Sequence, residues 1–576
     1  MSTSPSHQGT VVHTERLRGL RFLALLLLLI ALYRVADWQI LRHDEIQQKL
    51  RQANGETFEQ SRKTRGMILD RNGLVLAMDV WGYQVSASPD RMGDEAQRRK
   101  AAEQLAILLQ KPTAVLWDKL ADPTKKFMVL DYQASFAAGN AIRERHIAGV
   151  ALDPQPLRHY PAGAMAAQTI GFVNLANRGY GVEQAFQPDL NGTSEDCRAS
   201  AAGPAGPVNL GVRAFQPTPN ACDLVLTLDW AIQDVAEREL TAALEHTKAP
   251  SGTVIVIEPS TGKILAMASL PAFDLNKFYE TKDTLFSNPA ISSDYEPGSV
   301  VKIMTMAAGL DSGLFAPSST MWDSGEIIVG GVKIHNWDNK GHGKASMTDC
   351  LALSLNVCAA YLSTSLGPQK FYDYATRFGF AQLTGVDIAN EIAGQMRFPD
   401  QPTWHISDLG TNSFGQGMTA TPLQVAMMAS AIANGGILMK PFIVEAVINQ
   451  GHTKVTEPKA VRRVVTSETA RQLAAMLADA IEKESIPAII PTARVAGKTG
   501  TASIVNPVTH SYDTQATIAS FVGWAPYDDP KFVILVKLDK PQTTEFGSLA
   551  AAPVFREIAK KLMVLLDANA TVIASR

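Results

Sequence analysis

Between Tyr295 and Leu310 the chain permits few local structures. Pro297 and Gly298 are costly inside a helix, whereas Val300–Leu310 holds no proline and is mostly apolar. Tyr295-Glu-Pro-Gly-Ser-Val-Val-Lys302 therefore predicts a turn feeding straight into a buried helix, with Ser299 in its first turn. Lys302, three residues on, shares the helical face of Ser299. A serine hydroxyl is a poor nucleophile near neutral pH, and a neighbouring amine can take its proton only when uncharged. Burial among Ile303, Met304 and Met306 favours that uncharged form. The helix N-terminus also offers N–H groups to a developing oxyanion. Alone, S-x-x-K is far more often a capping serine with a snorkelling lysine.

Two further polar clusters follow. Ser354-Leu355-Asn356 falls on a helix expected from Met347 to Leu362. The two polar residues are not on one helical stripe, so both face a site only if a cleft wraps that helix end. Lys498-Thr499-Gly500-Thr501 follows Arg494-Val-Ala-Gly and reads as a strand edge, to which an extended substrate can add as a further strand. Taken singly, a buried amide and an ordinary edge strand explain each cluster. Their order, S-x-x-K then S-x-N then K-T-G, is far more specific.

The rest of the chain supplies the setting. Arg16, Arg18 and Arg21 precede the apolar run Phe22–Tyr33, which reaches bilayer length if continued to Leu41. No small-residue cleavage site follows, so residues 1–21 read as a cytoplasmic tail and 22–41 as an uncleaved anchor, with everything beyond about 42 outside the cytoplasm. Asn72-Gly73 between apolar runs predicts a hairpin, and 93–125 and 133–147 look helical. Residues 42–222 group no catalytic side chains and read as a supporting domain with a linker at 193–222. From Asp223 to about 570 the pattern is strands at both ends (253–258 and 263–269; 517–524 and 532–538), a helical middle and a last helix at 553–566. This α+β arrangement implies one antiparallel sheet built from the two termini, a helical subdomain, and a cleft between them. A net charge of −3 gives no basic excess for nucleic acid.

The 4 cysteines include no C-x-x-C pair. Cys197 and Cys222 bracket a Gly/Pro/Ala-rich loop and can be bridged if it lies outside the cytoplasm. Cys350 and Cys358 fall on one expected helix, too far apart along it to pair.

From residue 22 to 567 the chain resembles class B penicillin-binding proteins, the membrane-anchored peptidoglycan D,D-transpeptidases. Beyond the three motifs, the resemblance is carried by "RGMILDRNGLVLA" at 65–77, "GYGVEQAF" at 179–186, "GQGMTATPLQVAMMASAIANGG" at 415–436, "SFVGWAPYDDPK" and "AAPVFREI". It implies that Ser299 is acylated, that Lys302 is its base, and that Ser354 and Asn356 relay protons and bind the substrate amide. Lys498 would attract the substrate carboxylate and keep Lys302 neutral, Thr499 and Thr501 would contact that carboxylate beside Gly500, and the N–H groups of Ser299 and Thr501 would form the oxyanion hole. The implied reaction cross-links D-Ala-D-Ala stem peptides without metal or organic cofactor. β-Lactams would be inhibitors, and a SEDS-type glycosyltransferase in the cell membrane a partner.

Three departures stand out. Val300 replaces a common threonine, and the usual second glycine after Asn191-Gly192 is missing. Asp323, Asp338, His342 and Cys350 hint at a metal site, but Asn336 stands where an acidic ligand is expected, which favours a plain surface loop. A β-lactamase of the same fold would need a deacylating base, and no Glu-x-x-Leu-Asn lies between Ser354 and Lys498. Penicillin-sensing receptors share the machinery but carry several membrane spans where one is expected here, and a non-catalytic scaffold would not need Ser299, Lys302, Asn356 and Lys498 all intact.

Overall fold

The computed structural model describes residues 65–574, apart from 175, 196, 198–207, 211–212, 216–220, 450–451, 506–511 and 545. The expected tail and anchor lie outside the described residues. Among the described residues no helix is long and apolar enough to cross a membrane. The described residues divide into two compact units: 81–156, and 65–80 together with those from 157 onwards.

The expected hairpin at Asn72-Gly73 joins β1 (Ile68–Leu69) to β2 (Val75–Ala87). Gly73 takes φ +82, a left-handed value that suits glycine, and the Asp70 carboxylate accepts the N–H groups of Asn72 (2.9 Å) and Leu74 (2.7 Å). In the first unit the later residues of β2 pair antiparallel with β3 (Met128–Ser135). Between them run α1 (Glu95–Leu109), capped by Asp94 and Gln97, and α2 (Thr113–Leu120); α3 (Phe136–Glu144) follows β3. The helix expected across 93–125 is thus two, because Gln110 turns left-handed and Pro112 cannot continue α1. The one expected at 133–147 yields its first residues to β3, where Leu130 and Ala134 face a core of Val85, Leu105, Leu116 and Ile142.

In the second unit β1 lies parallel to β4 (Asp223–Leu226). Nearby, Glu183 is fully buried between two guanidiniums, Arg65 Nε at 2.5 Å and Arg158 Nε at 2.7 Å, and Arg158 also reaches Asp79 at 3.1 Å. Burial works against the Glu183 charge, but Arg158 and Arg65 outweigh it and hold the carboxyl below its usual range. Cys197 and Cys222 are joined in a disulfide, with Cα atoms 5.7 Å apart.

After α4 (Trp230–Thr247) come β5 (Ser251–Ile257) and β6 (Ile264–Leu270), then α5 (Lys302–Asp311), which is buried from Lys302 to Leu310. Next are α6 (Met347–Ala352), α7 (Asn356–Leu366), α8 (Pro422–Ala433) and β7 (Val444–Asn449), which pairs with β4. The chain closes with α9 (Ser467–Lys483), β8 (Ala496–Val505), β9 (Tyr512–Ala525), β10 (Phe532–Asp539) and α10 (Ala552–Ala574). The antiparallel sheet drawn from both termini has the order β8-β9-β10-β5-β6. Alternation puts Val254, Val256, Phe521 and Ile534 against α4 and α10, while Ile255, Ile257, Val533 and Leu535 join the core of the helical subdomain. β8 ends as an edge strand.

One expectation fails at a place that matters. Met347–Leu362 is not a single helix: α6 stops at Ala352, Ser354 takes φ +53, and α7 starts at Asn356. The break brings Cys350 and Cys358 together, with Cα atoms 5.9 Å apart, and they form a second disulfide. An unbroken helix would hold them about 12 Å apart at 1.5 Å per residue.

Candidate active site

Two glycines build the turn that carries Ser299. Gly298 has φ +62, and a side chain there would lie 3.0 Å from the Thr501 carbonyl oxygen, so its absence lets the turn approach β8. Gly415 supports it from behind: its carbonyl accepts the Gly298 N–H at 3.1 Å, and a Cβ on it would strike Gly298 O at 2.3 Å. Gly298–Val301 forms a single 3-10 turn that passes into α5, with the Lys302 N–H donating to the carbonyls of Ser299 and Val300. Ser299 and Lys302 are therefore one tight turn apart.

Lys302 is only 3% exposed. Its Nζ donates to the Ser354 carbonyl and to Asn356 Oδ1, both at 2.7 Å, and lies 3.3 Å from Ser354 Oγ. Lys498, in β8 and equally buried, donates from Nζ to Ser354 Oγ at 2.9 Å and to Thr499 Oγ1 at 3.2 Å. The Ser354 hydroxyl thus sits between two lysine amines. Burial pushes the Lys302 amine well below the ordinary lysine value, and the neighbouring Lys498 pushes it further. Burial alone brings Lys498 down to about 7. Both amines have neutral oxygens as acceptors, which leaves a positive charge on either one uncompensated.

Asn356 is the first residue of α7, and its Nδ2 donates to the His335 carbonyl at 3.0 Å. Thr499 and Thr501 lie on the exposed edge of β8, and Thr501 Oγ1 accepts the Gly547 N–H at 3.1 Å. Gly500 is buried instead; a side chain there would meet Ser520 Oγ at 2.4 Å. Ser299, Ser354, Asn356, Thr499 and Thr501 line one cleft of about 730 Å³, and the Lys302 and Lys498 amines are hydrogen-bonded to Ser354 of that lining. The order of the three motifs in the chain therefore becomes proximity in space.

The cleft has walls that the motifs do not contain. Phe414, Gln416 and Glu484 line it, and the half-exposed rings of Trp337 and Phe546 meet edge to face at 6.0 Å. Trp337 Nε1 donates to the carbonyl of Leu353, immediately before Ser354. The residues weighed as metal ligands serve the adjoining loop. Asn336 Nδ2 donates to Asp323 Oδ2 at 2.7 Å, His342 faces Asp338 at 3.2 Å, and Cys350 is in the disulfide.

The chain is similar to known proteins over most of its length. Residues 252–560 match the family model described as the penicillin binding protein transpeptidase domain, and 60–195 the penicillin-binding protein dimerisation domain. Stage V sporulation protein D of Bacillus subtilis is 31% identical over 86% of the chain and 77% of that protein. The peptidoglycan D,D-transpeptidase FtsI of Escherichia coli is 30% identical over 87% of the chain and 83% of its own length. The crystal structure of penicillin-binding protein 3 from Mycobacterium tuberculosis complexed with aztreonam superposes with a TM-score of 0.67 at 28% identity, covering 88% of this chain and 97% of that one.

Proposed function

That the chain belongs to the class B penicillin-binding proteins is the premise from which we propose how its cleft works. The protein is a serine-type D-Ala-D-Ala transpeptidase of peptidoglycan synthesis and a target of β-lactams. Ser299 Oγ attacks the carbonyl between the two terminal D-alanines of a stem peptide while the neutral Lys302 amine takes its proton. The N–H groups of Ser299 and Thr501 receive the oxyanion. The tetrahedral intermediate collapses by breaking the C–N bond. The proton returns from Lys302 through the Ser354 hydroxyl to the departing D-alanine nitrogen, leaving an acyl-serine. An amine from a second stem repeats the steps in reverse and leaves a cross-link. Lys498, Thr499 and Thr501 hold the donor carboxylate, and Asn356 its amide.

The observation that carries this reading is the pair of buried amines sharing the Ser354 hydroxyl at 3.3 and 2.9 Å, in the cleft that holds Ser299. Such a pair is disfavoured as two cations and suited to accepting a proton. The test is a labelled penicillin followed by peptide mapping. Attachment at Ser299, abolished in Ser299→Ala with the thermal melt unchanged, is the expected result. Attachment elsewhere, or none in the wild type, overturns it.

We further propose that residues 22–41 anchor the protein in the cell membrane as one helix, with 1–21 cytoplasmic and the rest outside. Residues 42–222 would serve as a pedestal contacting a SEDS-type glycosyltransferase, and 223–570 as the transpeptidase domain. The Cys197–Cys222 and Cys350–Cys358 disulfides support the outside placement, since such bonds persist in oxidising compartments. A fluorescent fusion at the cell periphery, lost on deletion of 22–41, is the expected result.

A further inference from the structure

The Cys350–Cys358 disulfide lies where the broken helix turns into the cleft. Cys350 is on α6, Cys358 is near the start of α7, and both are buried. Between them stand Ser354 and Asn356, which provide the hydrogen-bond acceptors of the Lys302 amine described above. The turn is not one a serine adopts readily, since φ +53 at Ser354 is a left-handed value that crowds its Cβ. Its three N–H groups all reach back to α6: Leu353 to the Asp349 carbonyl at 2.9 Å, Ser354 to Leu351 at 3.3 Å, and Leu355 to the carbonyl of Cys350 itself at 3.0 Å. One end is fixed, because Asp349 caps α6 against Ser346 and pairs with Lys483 of α9. The sulfur bridge carries that fixity across the turn to α7. It also lies beside the amine's helix: Cys350 and Cys358 line one small void together with Lys302, Thr305 and Leu355.

We propose that the Cys350–Cys358 disulfide is a positioning element for acylation, holding the 353–355 turn in the one shape that presents the Ser354 and Asn356 oxygens to Lys302. The proposal rests on the roles inferred above for Ser299 and Lys302. Without the bridge Ser354 can relax to negative φ, and its two oxygens leave the amines. Water then enters beside Lys302 and restores its preference for charge. Among the described residues, the ionisable group facing Lys302 is Lys498 of β8; the turn and α7 offer neutral oxygens, and the Phe414 ring lies 6.0 Å away. Asp311, also on α5, stands at its far end against Tyr374 and Thr466.

The test measures acylation of the full chain by a fluorescent penicillin, from about pH 6 to about pH 10, spanning the range over which a displaced lysine titrates. Cys350→Ala/Cys358→Ala is expected to acylate about tenfold more slowly near neutral pH, the usual scale for a misplaced catalytic group. Its rising limb should move about one unit to higher pH as the amine regains water. Cys197→Ala/Cys222→Ala removes the disulfide remote from the cleft and is expected to stay within about twofold of wild type. An unchanged rate and pH profile in the first variant overturns the proposal, as does an equal loss in both variants. Should the first variant not fold, the Cys197→Ala/Cys222→Ala protein keeps a single disulfide to reduce to two thiols and reoxidise, with the thiol count read by mass spectrometry. A rate that falls on reduction and returns on oxidation supports the proposal, and a rate indifferent to thiol state sinks it. Failure of the functional reading looks different: Ser299→Ala would then label like the wild type.

Discussion

Two of the places where the molecule buries charge-bearing side chains are treated in opposite ways. At Arg65, Asp79, Arg158 and Glu183, cations meet anions; two guanidiniums flank one carboxylate, and every member has an opposite partner. At Lys302 and Lys498, two potential cations meet only hydroxyl, amide and carbonyl oxygens. Burial raises the cost of charge in both. In the first, paired charges repay that cost and stay ionised, so the cluster fixes geometry. In the second nothing repays it, and the cost appears as reactivity: Lys498 falls to about 7 and Lys302 well below the ordinary range. Of these two sites, the compensated one fixes structure and the uncompensated one lies in the cleft beside Ser299.

Substitution should separate the two most sharply. Lys302→Met removes an amine whose charged form the protein already disfavours. It should slow penicillin acylation on the order of 10²–10⁴-fold, the span assigned to a general base, without lowering the melting temperature. A large loss of stability would show that the amine belongs with the structural cluster. The mirror experiment is Glu183→Gln, which takes the carboxylate from the buried Arg65 guanidinium and leaves Arg158 with Asp79 alone. Breaking a buried pair from one side costs about 3–5 kcal/mol, so urea unfolding should weaken markedly while acylation per folded molecule holds. If acylation falls in step with Lys302→Met, the two regions are not independent.

Titration offers a gentler separation. The folded pKa of Lys498, about 7, lies below its unfolded value of about 10.4. Between those values the unfolded chain binds more protons, so stability should rise with pH through that window, and the penalty is full below it. Glu183 acts at the other end. Its folded value is depressed, so its contribution is present above the ordinary carboxyl range and lost as pH falls through the lower folded value. Thermal melts of wild type, Lys498→Met and Glu183→Gln across pH should show the alkaline rise shrink to the share of buried Lys302 in the first variant and the acid loss change in the second. Acylation should climb through neutral pH in step with deprotonation of the lysine pair.

The two regions also differ in how far the sequence reveals them. Ser299, Lys302, Ser354, Asn356 and Lys498 are legible because their spacing is chemical: each motif is short, and the order of the three is restrictive. The sheet is legible because Val254–Ile257 and Val533–Val536 are uninterrupted apolar strands. The ion cluster has no local pattern, since Arg65 and Glu183 stand 118 residues apart. The break at 353–355 is hidden for a related reason. Leu353-Ser354-Leu355 holds neither proline nor glycine, and Ser354 is drawn out of the helix by Lys302 and Lys498, which only the fold brings near. The same break makes the pairing of Cys350 with Cys358 invisible in one dimension. Trp337, Phe414 and Phe546 come from separate loops and carry no spacing at all.

The smallest expected effect is also the finest probe of the contrast. Val300 lies between Ser299 and Val301, fully buried, with its Cγ1 against the place a Gly500 side chain would occupy. Val300→Thr keeps the shape while adding a hydroxyl. The new group points into packing rather than toward the amines, so it has no proton to carry. Acylation should stay within about twofold, and stability should drop by about 1 kcal/mol, the low end for burying a poorly paired hydroxyl. If acylation rises severalfold instead, the hydroxyl has found Lys302 or the cleft. A third neutral oxygen would then have joined the uncompensated site, and the line between packing and chemistry would run one residue closer to Ser299.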